Sequence, residues 1–344
     1  MQFIELSIFI LAVLFIINYL IKNIDFLLDN KKSSSHKAFI DKNTKPPFSG
    51  GILILLPLLI LIPSNEINFM IIIFLIFITG FLSDINFLKS ANIRFIIQII
   101  LVFFSVIVLE KYIQTVRVGF LDILLTNFYF KVFFTSFCIL ILINGTNFID
   151  GLNTLVIGYY LLIIFIISDF YSESEIFILN YEIIIYFSII LLSILILNGL
   201  NLLYLGDNGA YLLSFFIAII LIDLSNNIKS LSPYYIANLL WYPAYENLFS
   251  IIRKIKSKKS PLKPDNLHLH QLIFLFVKKN IKLKPKILNT FTGITINFFN
   301  LIIFIVATKN YTNTRAQLII LCVSFIIYNL IYIVLNKKFK NKNV

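Results

Sequence analysis

The sequence predicts an all-α, polytopic integral membrane protein with about eleven transmembrane helices, and three observations predict it. Hydrophobic residues make up 59% of the 344 and charged ones only 13%, where a soluble chain carries about 25%. The mean hydropathy is +0.92. Long stretches lack Asp, Glu, Lys and Arg altogether, as hydrocarbon requires when one mid-bilayer charge costs roughly 2.5–3.5 kcal/mol. A soluble globular enzyme, a disordered chain and a disulfide scaffold are thereby excluded.

The charge-free stretches run 6–21, 46–65, 67–83, 95–109, 132–149, 151–168, 183–206, 208–222, 230–245, 287–308 and 316–336, each read as one span. Those of 15–17 residues fall short of the usual ~20 and must borrow flanking residues, with Arg94 and Glu110 snorkelling to the interface. The first stretch has no basic n-region and no small-residue cleavage site, so it reads as a span rather than a signal peptide. An odd number of spans puts the termini on opposite sides. The connections 22–45, 84–94, 144–153, 198–208 and 253–286, with the tail 337–344, hold 23 of the 29 Lys and Arg. The positive-inside rule then places the N-terminus outside and the C-terminus in the cytoplasm. The net charge of +12 is mostly this asymmetry and does not point to nucleic acid. Cys138 and Cys322 both fall inside spans, and no C-x-x-C pair suggests a metal.

The cytoplasmic connections carry acidic residues among Gly and Asn: Asp84 after Gly80-Phe81, Asp150 in Asn144-Gly145-Thr146-Asn147-Phe148-Ile149-Asp150-Gly151, and Asp207 in Gly206-Asp207-Asn208-Gly209. Taken singly, each Asp is a helix cap and each Gly a turn. Together they form a set of hard oxygen donors on one membrane face, suited to Mg²⁺ or Mn²⁺. Asn147 and Asp207 are the pair expected to hold such an ion. Helix N-termini following Asp150 and Asp207 would favour phosphate oxygens. His36, His268 and His270 also fall on this face. In an extended segment the i, i+2 spacing of His268 and His270 points both rings the same way, beside lysines suited to a diphosphate. A basic, amphipathic loop resting on anionic lipid accounts for the lysines of 253–259 and 278–286 but not for the histidines.

In order, Pro47-x-x-Gly50-Gly51, Gly80-Phe81-x-x-Asp84, Asn144-x-x-Asn147-x-x-Asp150-Gly151, Gly206-Asp207-x-Gly209 and His268-x-His270 resemble the polyprenyl-phosphate N-acetylhexosamine-1-phosphate transferases, glycosyltransferase family 4. The likeness covers about residues 45–275. It implies one transmembrane catalytic domain over 1–344, in a bacterial inner membrane, with the cytoplasmic connections as its active-site face. The implied reaction transfers N-acetylhexosamine 1-phosphate from a UDP-N-acetylhexosamine to undecaprenyl phosphate and releases UMP. It implies catalytic roles for Asp84, Asp150 and Asp207, and Mg²⁺ (Mn²⁺ as the alternative) on Asn147 and Asp207. Substrate contacts are implied for Arg94, Asn144, Asn153, His268, His270 and Lys45. Membrane lipid is a partner, nucleic acid is not, and a homodimer stays open.

Four positions depart from the family pattern. Ser83 stands where the first Asp of a pair is usual, Gln271 replaces a third histidine, and Asn266 replaces an arginine. The histidine upstream of the Pro-Gly-Gly motif has no counterpart, Lys42 and Lys45 occupying that stretch. Three other readings compete. The phospho-N-acetylmuramoyl-pentapeptide branch expects a longer segment after the Asp pair than the nine residues between Asp84 and Arg94. A transporter expects ionisable groups at mid-bilayer. A catalytically dead scaffold has Ser83 as its best argument.

Overall fold

The computed structural model describes residues 2–23, 27–28, 46–171, 180–258, 260 and 265–340. Among these the chain is helical, with one isolated bridge between Leu28 and Pro47 and no strand. The helices are α1 (Gln2–Lys22), α2 (Gly50–Leu61), α3 (Ile67–Asp84), α4 (Ala91–Leu109), α5 (Gly119–Leu125), α6 (Phe128–Ile149) and α7 (Leu155–Tyr171). They continue with α8 (Tyr181–Gly199), α9 (Gly206–Asn227), α10 (Pro233–Leu239), α11 (Trp241–Lys256), α12 (Leu269–Asn280), α13 (Pro285–Thr308) and α14 (Thr314–Lys340). Local chemistry sets several starts. Ser90, Asn127 and Asn180 accept the amides of Ile93, Phe130 and Ile183 at the heads of α4, α6 and α8. Pro233 and Pro285 open α10 and α13, where a missing N–H costs nothing.

Among the described residues, seven helices are long and apolar enough to cross a membrane: α3, α4, α6, α8, α9, α13 and α14. Three shorter apolar helices, α1, α2 and α7, accompany them. The stretch 230–245, expected as one span, is divided. Proline 243 has no amide to donate and its ring crowds the carbonyl four residues back, so α10 stops at Leu239 and α11 restarts at Trp241. Beyond it, the 253–286 connection is more ordered than a loop: α11 runs on through Arg253 and Lys254, and α12 fills 269–280.

Helix α9 is the axis of the molecule. It is apolar on all sides and 94% of its spanning window is buried, as a helix surrounded by others must be. Helices α2, α3 and α6 pack along it. Close approach at its N-terminus needs a missing side chain: a Cβ at position 80 of α3 would lie 2.5 Å from the Cα of Asn208. At the opposite end, Lys111 donates to the buried Asp223 at 2.6 Å. There Arg117 also donates to the carbonyls of Lys229, Ser230 and Leu231, tying the α4–α5 and α9–α10 connections together.

Candidate active site

The first turn of α9 is where the functional side chains meet. Asp207 stands in that turn with its side chain 25% exposed. Its Oδ2 accepts from Ser83 Oγ at 2.6 Å and from Arg94 Nη1 at 2.8 Å, and its Oδ1 accepts from Asn147 Nδ2 at 2.8 Å. Arg94 also donates to Ser83 Oγ. Three helix ends thus converge on one carboxylate: the C-terminal turn of α3, the N-terminal turn of α4 and the C-terminal turn of α6. Each side chain reaches it because the charge-free stretches place their polar residues at helix ends, where the apolar run stops.

Asp84, one residue after Ser83, does not join that cluster. Its Oδ1 accepts the backbone N–H of Asp207 at 3.0 Å and its Oδ2 that of Asn208 at 2.9 Å. It caps α9 from the neighbouring helix, a side chain from outside doing what an N-cap residue does from within. Gly206 makes room for it. Its φ is +75°, and a Cβ there would sit 2.7 Å from Asp84 Oδ2. At the α9 N-terminus, expected to favour phosphate oxygens, these two amides donate to Asp84. Asn208, fully buried, ties α2 to the same turn: it accepts from Gly51 N at 2.8 Å and donates to the carbonyl of Phe48 at 3.0 Å.

The last turn of α6 connects this cluster to a second one. Asn144, one turn before Asn147, donates to Gln98 of α4 at 3.3 Å and to the carbonyl of Leu140 at 2.9 Å. Phe148 turns the other way, its ring 5.2 Å from that of His268 and under the ammonium of Lys254 at 5.4 Å. Asp150 ends α6, its amide donating to Thr146. His270 lies against the following turn: a Cβ at Gly151 would be 2.7 Å from its Nε2. The two imidazoles are 5.8 Å apart and 21° from parallel, but the segment is not the extended one expected: His268 caps α12 and His270 lies in its first turn. Asn153 pairs with other residues, its backbone N–H donating to Asn289 at 2.6 Å and its carboxamide to Asn201 at 3.2 Å. Lys45, with Lys42 and His36, lies outside the described residues.

The electrostatics of the 253–286 connection, the arm that carries the two histidines and α12, are those of a paired, half-buried ion cluster. Arg253 donates to both oxygens of Asp265, at 2.7 and 3.1 Å. Burial would raise the Asp265 carboxyl, but these hydrogen bonds and the nearby His268 and Lys254 outweigh it and hold the group below its ordinary value of 3.8. Burial dominates at Lys254 and pushes its ammonium below 10.5, Asp265 opposing only in part. Two partners are not apparent from the sequence: Ser83, which donates to Asp207, and Glu246, which accepts from Tyr328 at 2.8 Å and meets His268 at 2.9 Å. A glutamate in an otherwise apolar stretch was the signal available.

For a divalent ion the donor set fits. Asp207 supplies a carboxylate and Asn147, donating through Nδ2, keeps its carboxamide oxygen for a second hard ligand. Among the described residues no group of three or more His, Cys, Asp or Glu is placed to hold a metal. Mg²⁺ does not need one, because it commonly binds through one or two protein groups and completes its shell with water and substrate phosphates.

No curated protein sequence matches the chain. Residues 67–225 match the model of glycosyl transferase family 4. That segment contains Ser83, Asp84, Arg94, Asn147 and Asp207, and its family joins a sugar phosphate to polyprenyl phosphate at a membrane, generally with a divalent metal. Over this segment, carried on a bundle of apolar helices, the chain is similar to glycosyl transferase family 4, the polyprenyl-phosphate sugar-1-phosphate transferases.

Proposed function

We propose that the protein transfers N-acetylhexosamine 1-phosphate from a UDP-sugar to undecaprenyl phosphate, releasing UMP and starting a lipid-linked glycan on the cytoplasmic face of a bacterial inner membrane. The observation that carries this reading is the convergence of Ser83, Arg94 and Asn147 on Asp207 at the head of α9. A carboxylate, a carboxamide and a guanidinium at the end of a membrane helix are what two phosphate-bearing substrates need, one of them tethered in lipid. The asymmetry of 23 of 29 cations supports eleven passes with the N-terminus outside, α10 and α11 together making the ninth.

An oxygen of the acceptor phosphate attacks the β-phosphorus of the UDP-sugar, and the bond from that phosphorus to the bridging oxygen breaks, leaving UMP. A phosphate monoester loses its last proton near pH 6, so the nucleophile is largely formed at neutral pH without a strong base. Arg94 offsets the repulsion between the two anions and stabilises charge that develops on the bridging oxygen. Mg²⁺, held by Asp207 and Asn147, would supply Lewis-acid stabilisation of the same charge. Asp84 keeps the α9 turn, and with it Asp207, in place. Asp150 and His270 are assigned to the diphosphate side of the site on the family resemblance. Near Asn153, a cavity of about 440 Å³ lined by Asn201, Lys286, Thr290 and Phe291 suits a nucleoside. A second, of about 350 Å³ and almost wholly apolar, lies between α6, α9, α10, α11 and α14 and suits an isoprenoid tail.

The test uses membranes containing the protein, radiolabelled UDP-GlcNAc and other UDP-N-acetylhexosamines, and undecaprenyl phosphate, with and without Mg²⁺. Butanol-extractable label that needs Mg²⁺ and disappears in Asp207→Ala is the expected result. A folded protein that labels no lipid with any of these donors ends this reading.

A further inference from the structure

Behind the arm, a chain of buried polar groups crosses from α14 to α12. Tyr328 of α14, 1% exposed, donates to Glu246 Oε2 at 2.8 Å. Glu246 Oε1 lies 2.9 Å from His268 Nδ1, both residues being 1% exposed. On the far side of the ring, His268 Nε2 is 3.3 Å from Asp265 Oδ1, and Arg253 holds Asp265 with two hydrogen bonds. Gln271 Oε1 accepts the backbone N–H of His268 at 3.2 Å and so fixes the start of α12.

Two consequences follow from hydrogen-bond inventory alone. Both ring nitrogens of His268 face carboxylate oxygens, so neither is directed at a diphosphate. A glutamate packed among apolar helices is costly unless it is paired, and here its partners are the hydroxyl of α14 and the imidazole that begins α12. The pairing fixes where α12 starts, and two residues later His270 comes to rest against Gly151.

We propose that Glu246 is a positioning residue: acting through His268, it holds α12 in register so that His270 stays at the Asp150–Gly151 turn. What the arm serves rests on the transferase reading above; how it is held does not. His268 is then part of the support, and His270, itself fully buried, is the residue that it holds against the turn at Gly151.

The experiment is amide hydrogen exchange on the full chain in nanodiscs without substrate, paired with transfer kinetics. Glu246→Ala is expected to speed exchange about tenfold or more in peptides covering 265–272 and 149–154, while α9 peptides stay as they were. Tyr328→Phe removes one hydroxyl from Glu246 and should affect the same peptides less, so it decides the matter if Glu246→Ala does not fold. Glu246→Gln keeps an oxygen for His268 and should recover most of the protection. In transfer, Glu246→Ala should raise the KM for the UDP-sugar about tenfold with kcat within about threefold, as loss of a ground-state contact does. Unchanged exchange at 265–272 overturns the proposal, as does a rise spread over α3, α6 and α9. Raised exchange with unchanged KM overturns the link to substrate. If the parent protein transfers nothing, the transferase reading falls while the exchange result still judges the relay.

Discussion

Asp84 binds the backbone of Asp207, not its side chain. Both Asp84 oxygens accept amides from the first turn of α9, at 3.0 Å from Asp207 and 2.9 Å from Asn208. The two acidic residues therefore divide the work. One sets the helix end, and the other projects from it into the cluster with Ser83, Arg94 and Asn147. A carboxylate at a helix N-terminus is also favoured by the helix dipole, so Asp84 stabilises the turn twice over.

Asp84→Asn keeps one acceptor oxygen but faces the second amide with an NH₂ group. It is expected to cost about 1–2 kcal/mol, the range of a lost helix cap. Thermal unfolding followed by the fluorescence of Trp241, the single tryptophan, should show the lower midpoint. Transfer should fall with it by about tenfold, because Asp207 loses its fixed position. Full thermal stability in Asp84→Asn would mean the cap carries little weight.

Much of this site was legible in the sequence, for a physical reason. Asp84, Asn147 and Asp207 stand out because charge and carboxamide are expensive in hydrocarbon, so each marks the place where an apolar helix ends. Geometry was not legible. Nothing in Gly206-Asp207-Asn208 says that its amides are already taken by Asp84, a partner 123 residues away from Asp207. Nor does a charge-free stretch say whether it is one helix: 230–245 has the composition of a span, and Pro243 divides it. Ser83, read from sequence only as a missing carboxylate, is a hydrogen-bond partner of both Asp207 and Arg94.

Gly80 tests the packing on which the cluster depends. A Cβ at this position would fall 2.5 Å from the Asn208 Cα and 2.6 Å from its backbone N, and backbone cannot move aside as a flexible side chain does. Gly80→Ala should push α3 from α9 and cost about 1–3 kcal/mol, the usual price of overpacking. Because α3 also carries Ser83 and Asp84, activity should fall further than stability does. Measuring the unfolding midpoint and kcat/KM of the same preparation separates the two effects. A variant equal to the parent in both would show that the helices have slack there.

The arm should respond to acid in a defined direction. Asp265 has a folded pKa below its ordinary 3.8, so its contribution is fully present above that value and is lost as pH falls through the lower, folded one. Lys254 has the same slope in a higher window: its folded pKa lies below 10.5, so stability again rises with pH between the two values. Pepsin cleavage around Leu267–Phe274 should therefore begin only below about pH 4 in the parent protein. Arg253→Gln removes the two hydrogen bonds that depress Asp265 and should move the onset to higher pH. An onset that does not move would assign the arm's acid stability to other groups.

Ser83→Asp places a second carboxylate where the family commonly has one, and its effect should depend on metal. In the parent, Ser83 Oγ donates to Asp207 Oδ2 at 2.6 Å and accepts from Arg94. An aspartate cannot donate, so without metal two ionised carboxylates would face each other across hydrogen-bond distance, shielded in part by Arg94. That repulsion should lower the unfolding midpoint in EDTA. Mg²⁺ reverses the sign, because a cation between two carboxylates is better held than one beside a carboxylate and a hydroxyl. The Mg²⁺-induced rise in midpoint should then be larger in Ser83→Asp than in the parent, and half-saturation should come at lower Mg²⁺. Transfer rate separates the two uses of the new group. If proton removal limits the parent, Ser83→Asp should be faster at saturating Mg²⁺, and most so at low pH, where less of the acceptor phosphate is already ionised. A metal-dependent stabilisation without any gain in rate would mean that the acceptor phosphate needs no base, and that Ser83 serves the protein by holding Asp207 and Arg94 together.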